Sequence, residues 1–516
     1  MIIASSASAT NRIMRIPCYH YRVTCAKLST EFLNSDDGLS AGLSIAALAK
    51  LASPNRKQYH GSRDNCQKAG RMTRPNFLFM IADDHRHSAL GALGIEAVST
   101  PVFDKLIADG TCFTQAHIMG STSGAVCMPS RGMLMTGRGL FDTPDPLPDD
   151  APLLPELLRQ NGYTTFGTGK WHNRRGSYAR CFGESGKVFF GGMDDQFAMP
   201  VNDFDPAGDY PPEDSYIADG YSTTIFSDEM IDFLNARGDE DDQPFFAYIA
   251  FTSPHDPRTP PAPYDEMYDP EDIQLPPNFV PEHPFDIGIR DIRDELLAGY
   301  PRGEDEIKRH IADYYGMISH MDMDIGRILA ALDARGLSEN TIVIYTSDHG
   351  LGVGQHGLMG KQNLYDHSMR IPLIMRGPGI PRGMSCDALL YLLDMYPTLL
   401  ELAGIDVPED CDGHSLAALL NRVTTKHRRQ IFSAYQGVFG HPRGQPWQRS
   451  IKDERNKLIQ TVVNGEETWQ LFDLAADAHE RINLIDQPVY EKLAQRLRAS
   501  LRDRQTRAKD PLLTGG

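Results

Sequence analysis

Four apolar runs rich in β-branched and aromatic residues, at 77–82, 164–167, 245–251 and 341–346, punctuate the chain. Their length and composition are those of strands buried on both faces. Helical patterns fall between them. Val102, Phe103, Leu106 and Ile107 share one face of a segment closed by Gly110, the segment 153–160 stops at Asn161-Gly162, and 304–335 stops at Gly336. Strand and helix in alternation predict an α/β fold with a large, mainly parallel sheet flanked by helices. Each strand then runs into polar residues: Asp83-Asp84, Gly169-Lys170-Trp171-His172, Ser253-Pro254-His255-Asp256 and Ser347-Asp348-His349-Gly350. In a parallel sheet the carboxyl ends share one edge, where ligands bind. Four clusters far apart in sequence are therefore expected in one crevice.

Length and charge narrow the class. A chain of 516 residues has room for one large domain and a smaller companion. Its 41% hydrophobic content and mean hydropathy of -0.38 are those of a soluble globular protein. No apolar run approaches the roughly 20 residues that cross a bilayer, so no membrane association is expected. A net charge of -18 argues against nucleic acid as a partner. Eight cysteines in this length are not a disulfide framework. Residues 1–71 carry 10 Lys+Arg against 4 Asp+Glu, and the apolar stretch 43–49 lies too far from Met1 to read well as a signal. Residues 1–72 are read as a disordered or untranslated extension. A start at Met72 implies the cytoplasm, and a misread leader implies the periplasm or secretion. The catalytic domain is expected over 73–425, with long loops over the site at 196–310. Short strands around Ser450-Ile451, 458–463 and 469–472, a turn at Asn464-Gly465 and a helix over 489–502 predict a small C-terminal antiparallel sheet plus helix at 426–516.

The segment Cys127-Met128-Pro129-Ser130-Arg131 carries the strongest chemical signal. Pro129 suits the first turn of a helix that Gly132-Met133-Leu134-Met135-Thr136 continues. A helix N-terminus and a neighbouring Arg131 both favour negative charge at Cys127. A buried structural cysteine and a plain thiol nucleophile also fit these residues. Asp83, Asp84 and Asp348 are hard carboxylate ligands from two strand ends, suited to Ca²⁺ or Mg²⁺, although adjacent aspartates are also common in turns and caps. Lys170, His172, His255 and Lys361 form a cationic, proton-transferring set if they meet. Taken singly they are solvated or hydrogen-bonded loop residues.

Cys127-Met128-Pro129-Ser130-Arg131 followed by Met135-Thr136-Gly137-Arg138 resembles the signature of the type I, formylglycine-dependent sulfatases of the alkaline phosphatase superfamily. The blocks at 76–84, 100–106, 169–172, 254–255, 347–350, 357–361, 370–374 and 449–484 resemble that family in order and spacing, so the likeness covers about 75–500. The resemblance implies that a formylglycine-generating enzyme oxidises Cys127 to 3-oxoalanine, whose gem-diol attacks sulfur. It implies a metal held by Asp83, Asp84, residue 127, Asp348 and His349, with Ca²⁺ ahead of Mg²⁺. His349 stands where many members carry Asn, and its imidazole is a softer donor than oxygen. Arg131 would hold the diol beside the metal, His255 or Lys361 would protonate the leaving alcohol, and His172 would deprotonate the remaining hydroxyl so that sulfate is expelled. Fixed cations such as Lys170 would stabilise the charge that builds up.

Arg86, Asn173, Arg174 and Arg258 lie near these motifs in sequence, as do His87 and Arg175. Arginine forks suit carboxylates and further sulfates, which points to a sulfated, uronate-containing saccharide; solvated loop arginines are the competing reading. The motifs resemble polysaccharide-active sulfatases more than aryl or choline sulfatases. Two rivals stand beside the sulfatase reading. One is a phosphonate monoester or phosphodiester hydrolase of the same superfamily, and the other is a catalytically dead protein that binds sulfated sugar.

Overall fold

The computed structural model describes residues 74–143, 146–147, 151–238, 243–437 and 445–514. The extension read from the sequence at 1–72 lies outside the described residues. An eight-stranded sheet forms the centre, in the order Met384–Cys386, Thr111–Phe113, Leu373–Arg376, Thr341–Ser347, Asn76–Ala82, Phe245–Ala250, Thr164–Lys170, Glu184–Phe189. The four strands predicted from sequence are its four adjacent central members, and they run parallel. Leu373–Arg376 runs antiparallel to both its neighbours, which makes the sheet mixed at one side.

The first strand shows why these runs form a central sheet. Phe77, Phe79 and Ile81 face one hydrophobic cluster, and Leu78, Met80 and Ala82 face another. Successive side chains of a strand point to opposite faces. A strand with a core on each side must therefore be apolar at every position. The helix Cys127–Thr136 packs on the first face through Leu134 and Met135. The long helix Glu304–Ala334 covers the second through Ile307, Ile311, Ile318, Met321, Ile325, Ile328 and Leu332, which recur at helical spacing. Each such side chain contributes about 1.5–3 kcal/mol by leaving water. Glu304, Asp305 and Glu306 in its first turn suit the positive end of the helix dipole.

Two sequence readings change. The stretch 196–310 is not all loop: Ser222–Ala236 is a helix of 15 residues. Its apolar positions are interrupted by Ser222, Thr223 and Ser227, which are buried, so its periodic pattern is weak. The C-terminal sheet is five-stranded, and its fifth member is Gly120–Ser121, pairing with Ile431–Gln436. The two strands Asn456–Val463 and Glu466–Asp473 are joined at Asn464 and Gly465, whose φ values are 52° and 84°. Both lie in the left-handed region that this tight hairpin needs. The terminal helix Glu491–Arg507 adds Leu497 and Leu501 to a third core with Ile451, Leu458 and Leu471. Among the described residues, no helix is long and apolar enough to cross a membrane.

Candidate active site

The predicted convergence occurs. Ala82 pairs with Ser347 across the two central strands, so Asp83-Asp84 and Asp348-His349 leave the sheet side by side. Asp84 backbone N–H reaches Asp348 Oδ1 at 3.4 Å. Lys170 ends its own strand after a bulge between Gly167 and Gly169. Gly169 has φ 91°, and a Cβ there would lie 2.0 Å from the Ala250 carbonyl oxygen, so only glycine fits. The kink aims Lys170 into the site, where Nζ pairs with Asp83 and donates to the Gly192 carbonyl.

Cys127 is the first residue of its helix, and Sγ lies 3.1 Å from His172 Nδ1 and 3.9 Å from Lys170 Nζ. Burial alone would raise this thiol, but Lys170 and His172 outweigh it and draw it well below the ordinary thiol range. Arg131, one turn on, donates from Nε to Asp348 Oδ2 at 2.8 Å and from Nη1 to the Lys170 carbonyl at 2.9 Å. It is 1% exposed and does not line the cleft described below. Its observed contacts are those of a residue that fixes Asp348 and the end of the Lys170 strand.

Asp83, Cys127, Asp348 and His349 each offer a donor atom within 4.8 Å of the others, and all are buried. His349 Nδ1 lies 3.0 Å from Asp84 Oδ1 and 3.1 Å from the Gly350 carbonyl. The ring proton therefore belongs on Nδ1, and the Nε2 lone pair is left facing Asp83 Oδ1 and Asp348 Oδ1 at 3.6 Å each. Asp83 Oδ1, Asp84 Oδ2 and His349 Nε2 have no hydrogen-bond partner. Buried acceptors left without partners are costly without a cation, and Asp83, Cys127, Asp348 and His349, whose donor atoms converge, fit a divalent ion, with Asp84 grouped with Asp83 and His255 beside them. Electrostatics agree. Despite burial, Asp83 is held well below the carboxylate range by Lys170, His255 and Arg131, and Asp84 by His255, Lys361 and His349. Burial and the Asp83 charge push Asp348 upward. Burial would lower His349, but the Asp348 and Asp84 charges push it up to about 10; a cation among the same carboxylates would supply that positive charge and leave Nε2 unprotonated.

In the same cleft as Cys127, Lys361 Nζ donates to His255 Nε2 at 2.8 Å and to Asp84 Oδ1 at 2.9 Å. Burial opposes the ammonium, yet Asp84 and Asp294 hold it well above the ordinary lysine value. His255 Nδ1 donates to the Asp256 carbonyl at 2.8 Å. Cys127, His172, His255 and Lys361 line one cleft of about 350 Å³, together with Arg293 and Tyr435.

The substrate candidates fare differently. Arg86 is buried against Glu96, with bonds of 2.8 and 2.6 Å, and its guanidinium sits over the Tyr314 ring. It braces the loop after the first strand and does not reach the cleft. Asn173, Arg174 and Arg258 are absent from the lining as well. Arg258 is buried with Nη1 3.5 Å from His310 Nδ1, and Arg175 bonds the Tyr210 carbonyl. Nearness in sequence to a motif does not place these side chains on the wall of this cleft. The residues that do line the cleft include Arg293, Asp294 and Gln362. Arg293 and Asp294 sit in the stretch read as loop, and the only sequence signal was the charged run Arg290-Asp291-Ile292-Arg293-Asp294-Glu295. Gln362 directly follows the predicted Lys361.

Fold and site define an enzyme of the α/β class, with a buried cysteine at a helix start beside a cluster of carboxylates. Known proteins give the class its family. The sulfatase family model matches residues 75–405, and the model of the N-sulphoglucosamine sulphohydrolase C-terminal region matches 354–507. An ulvan-active sulfatase of Formosa agariphila is 30% identical over 447 residues, covering 83% of this chain and 80% of that one. An N-acetylglucosamine-6-O-sulfatase of Bacteroides thetaiotaomicron is 26% identical over 535 residues, covering 91% of this chain and 90% of its own. A solved structure in complex with its substrate D-glucosamine-2-N,6-O-disulfate superposes with a TM-score of 0.72 at 24% identity, covering 85% of this chain and 98% of that one, and so shares the fold. The chain belongs to the sulfatase family, and its activity is that of a sulfuric ester hydrolase.

Proposed function

We propose that this enzyme removes sulfate from a sulfated carbohydrate, using a formylglycine at position 127 and a calcium ion. The observation that carries the reading is the meeting of residue 127, His172 and the buried Asp83–Asp348–His349 donors at one point. The saccharide substrate is supported by relatives named for ulvan and N-acetylglucosamine sulfates. A formylglycine-generating enzyme is the maturation partner.

Asp83, Asp84, Asp348, His349 and residue 127 would hold the cation, which supplies Lewis-acid stabilisation of the sulfate oxygens. Hard carboxylates favour Ca²⁺, with Mg²⁺ second. The hydrated aldehyde supplies a nucleophilic hydroxyl and, through its second hydroxyl, a route for sulfate to leave that a serine lacks. The protein's own residues do the rest. Lys170 neutralises Asp83 and presents its charge 3.9 Å from the residue-127 side chain. His172 Nδ1, at 3.1 Å, is placed to take a proton from the group at position 127. The Lys361–His255 pair holds a shared proton between Nζ and Nε2 on the cleft wall, where the leaving alcohol emerges. Arg131 keeps Asp348 aimed at the site.

Sulfate and phosphate release from matched aryl esters tests the reaction class. Sulfate release with at least tenfold higher kcat/KM supports the sulfatase reading, on the scale of specificity that site contacts supply. The reverse order favours a phosphonate monoester or phosphodiester hydrolase. Absence of both, with metal bound and residue 127 oxidised, favours the sugar-binding protein.

A further inference from the structure

We propose that the Arg293–Asp294 wall of the cleft selects a leaving sugar that presents neutral hydroxyls there, and disfavours a second sulfate or a carboxylate at that place. This rests on the sulfated-carbohydrate reading and reverses the expectation drawn from arginines near the motifs.

Arg293 lines the cleft and its side chain is 43% exposed, so it is the obvious guanidinium for an anionic substituent. Its charge is already committed. Nη1 and Nη2 fork onto the two oxygens of Asp256, the longer bond being 3.1 Å, while Nε and Nη2 donate to Asp294 Oδ1 at 3.0 and 2.7 Å. Burial opposes the charge on Asp256, yet His255 and Arg293 hold it ionised, at about 2. One guanidinium thus stands between two nearly buried carboxylates, Asp256 at 5% and Asp294 at 9% exposure. These three side chains together carry one net negative charge, with Lys361 and Arg258 acting on them from nearby. A sulfate or carboxylate reaching Arg293 would have to compete with the Asp256 carboxylate, whose Oδ1 also lies 3.3 Å from His255 Nδ1, or lie beside Asp294 at like charge.

A hydroxyl pair meets no such conflict. Of the five N–H donors of a guanidinium, the four bonds above leave one on Nη1. Asp294 Oδ2 accepts from Gln362 Nε2 at 2.8 Å and keeps a further lone pair. A sugar hydroxyl, which both gives and receives a bond, can use either of these without displacing a carboxylate. Gln362 also donates to the Gly124 carbonyl and accepts from Lys361 N–H, so this wall is fixed to the segment carrying the catalytic lysine. Tyr435 and Pro446 line the same cleft and offer an apolar surface for a ring.

The experiment uses the full-length enzyme with residue 127 oxidised. It compares kcat/KM for a monosulfated N-acetylhexosamine with that for the same sugar carrying a second sulfate, and for a disaccharide whose neighbour is a uronate. An aryl sulfate serves as reference. The neutral sugar is expected to lead by about tenfold or more, and Asp294→Asn, or Asp294→Ser should the first variant fold poorly, to narrow that ratio several-fold. Ratios within one preparation do not depend on the fraction of active enzyme. Preference for the doubly anionic substrate, or a ratio unmoved in both variants, overturns the proposal while leaving sulfatase activity intact. No turnover of any sulfate ester, aryl sulfate included, instead removes the reading on which it rests.

Discussion

Asp84 and His172 hold φ values of 70° and 51°, in the left-handed region that side chains other than glycine seldom occupy. Both are chemical residues, and each is kept there by its neighbours. The Asp84 carbonyl accepts from Tyr314 Oη at 2.7 Å, and its carboxylate is held by Lys361. Such conformations cost about 1–3 kcal/mol and persist where surroundings over-determine them. The roles can be separated by substitution. His172 is half-exposed and bonded to residue 127, so His172→Ala should lower kcat by about 10²–10⁴-fold, the usual worth of a general base, with an unchanged melting temperature. Steady-state kinetics beside a thermal melt checks this, and wild-type kcat would remove the base role. Lys170 is the opposite case. It is fully buried against Asp83, so Lys170→Ala leaves a buried carboxylate short of a partner and should cost about 3 kcal/mol of stability as well as activity. Denaturant titration reads that loss directly.

At the level of elements, the site depends on one buried ion pair outside it. Glu295 accepts from the Met359 and Gly360 backbone N–H groups at 3.0 Å each, and pairs with Arg302, both side chains 0% exposed. It pins the turn that presents Lys361. Glu295→Ala should destabilise the protein by about 3–5 kcal/mol by leaving Arg302 unpaired. It should also reduce kcat through the loosened lysine; a variant as stable as wild type in urea would contradict this. How much of this could be read in advance follows from the same elements. The central strands were legible because burial on both faces forces continuous apolar runs, and the polar residues at their ends stand in a geometry that parallel pairing dictates. Asp83, Cys127, Lys170, His255, Asp348 and Lys361 meet as the pattern implied. Ser222–Ala236 was missed because buried serines and threonines break its period. Arg293 and Asp294 were missed because an irregular segment carries no periodicity to show which side it turns inward. Arg86 reads identically in sequence whether it faces substrate or Glu96, and only the tertiary contact decides.

Across the whole molecule, the C-terminal sheet is joined to the catalytic part by charge as well as by the Gly120–Ser121 strand. Asp366 pairs with Lys452 and with Lys457, at 2.9 Å for the latter, and Asp394 gathers His427, Arg428 and the His414 backbone N–H, the last at 2.8 Å. Burial would raise Asp394, but Arg428 and His427 bring it down to about 2 from an ordinary 3.8. A depressed carboxylate stabilises the folded state fully above its unfolded value and loses that contribution as pH falls through its folded value. About 2 kcal/mol should therefore disappear between pH 4 and pH 2, by the linkage of pKa to stability. Urea melts across that window should show Asp394→Asn less stable at pH 6 and less sensitive to acid, and equal slopes in the two proteins would contradict the assignment. Removing divalent ions with a chelator should abolish turnover, and added Ca²⁺ should restore it. The proposed reaction stands on the state of one side chain in the working enzyme. Mass measurement of the peptide spanning residue 127, taken from a preparation that is turning over a sulfate ester, decides it. Loss of the sulfur and appearance of an aldehyde is the predicted result; full activity in protein whose Cys127 is still a thiol would contradict it.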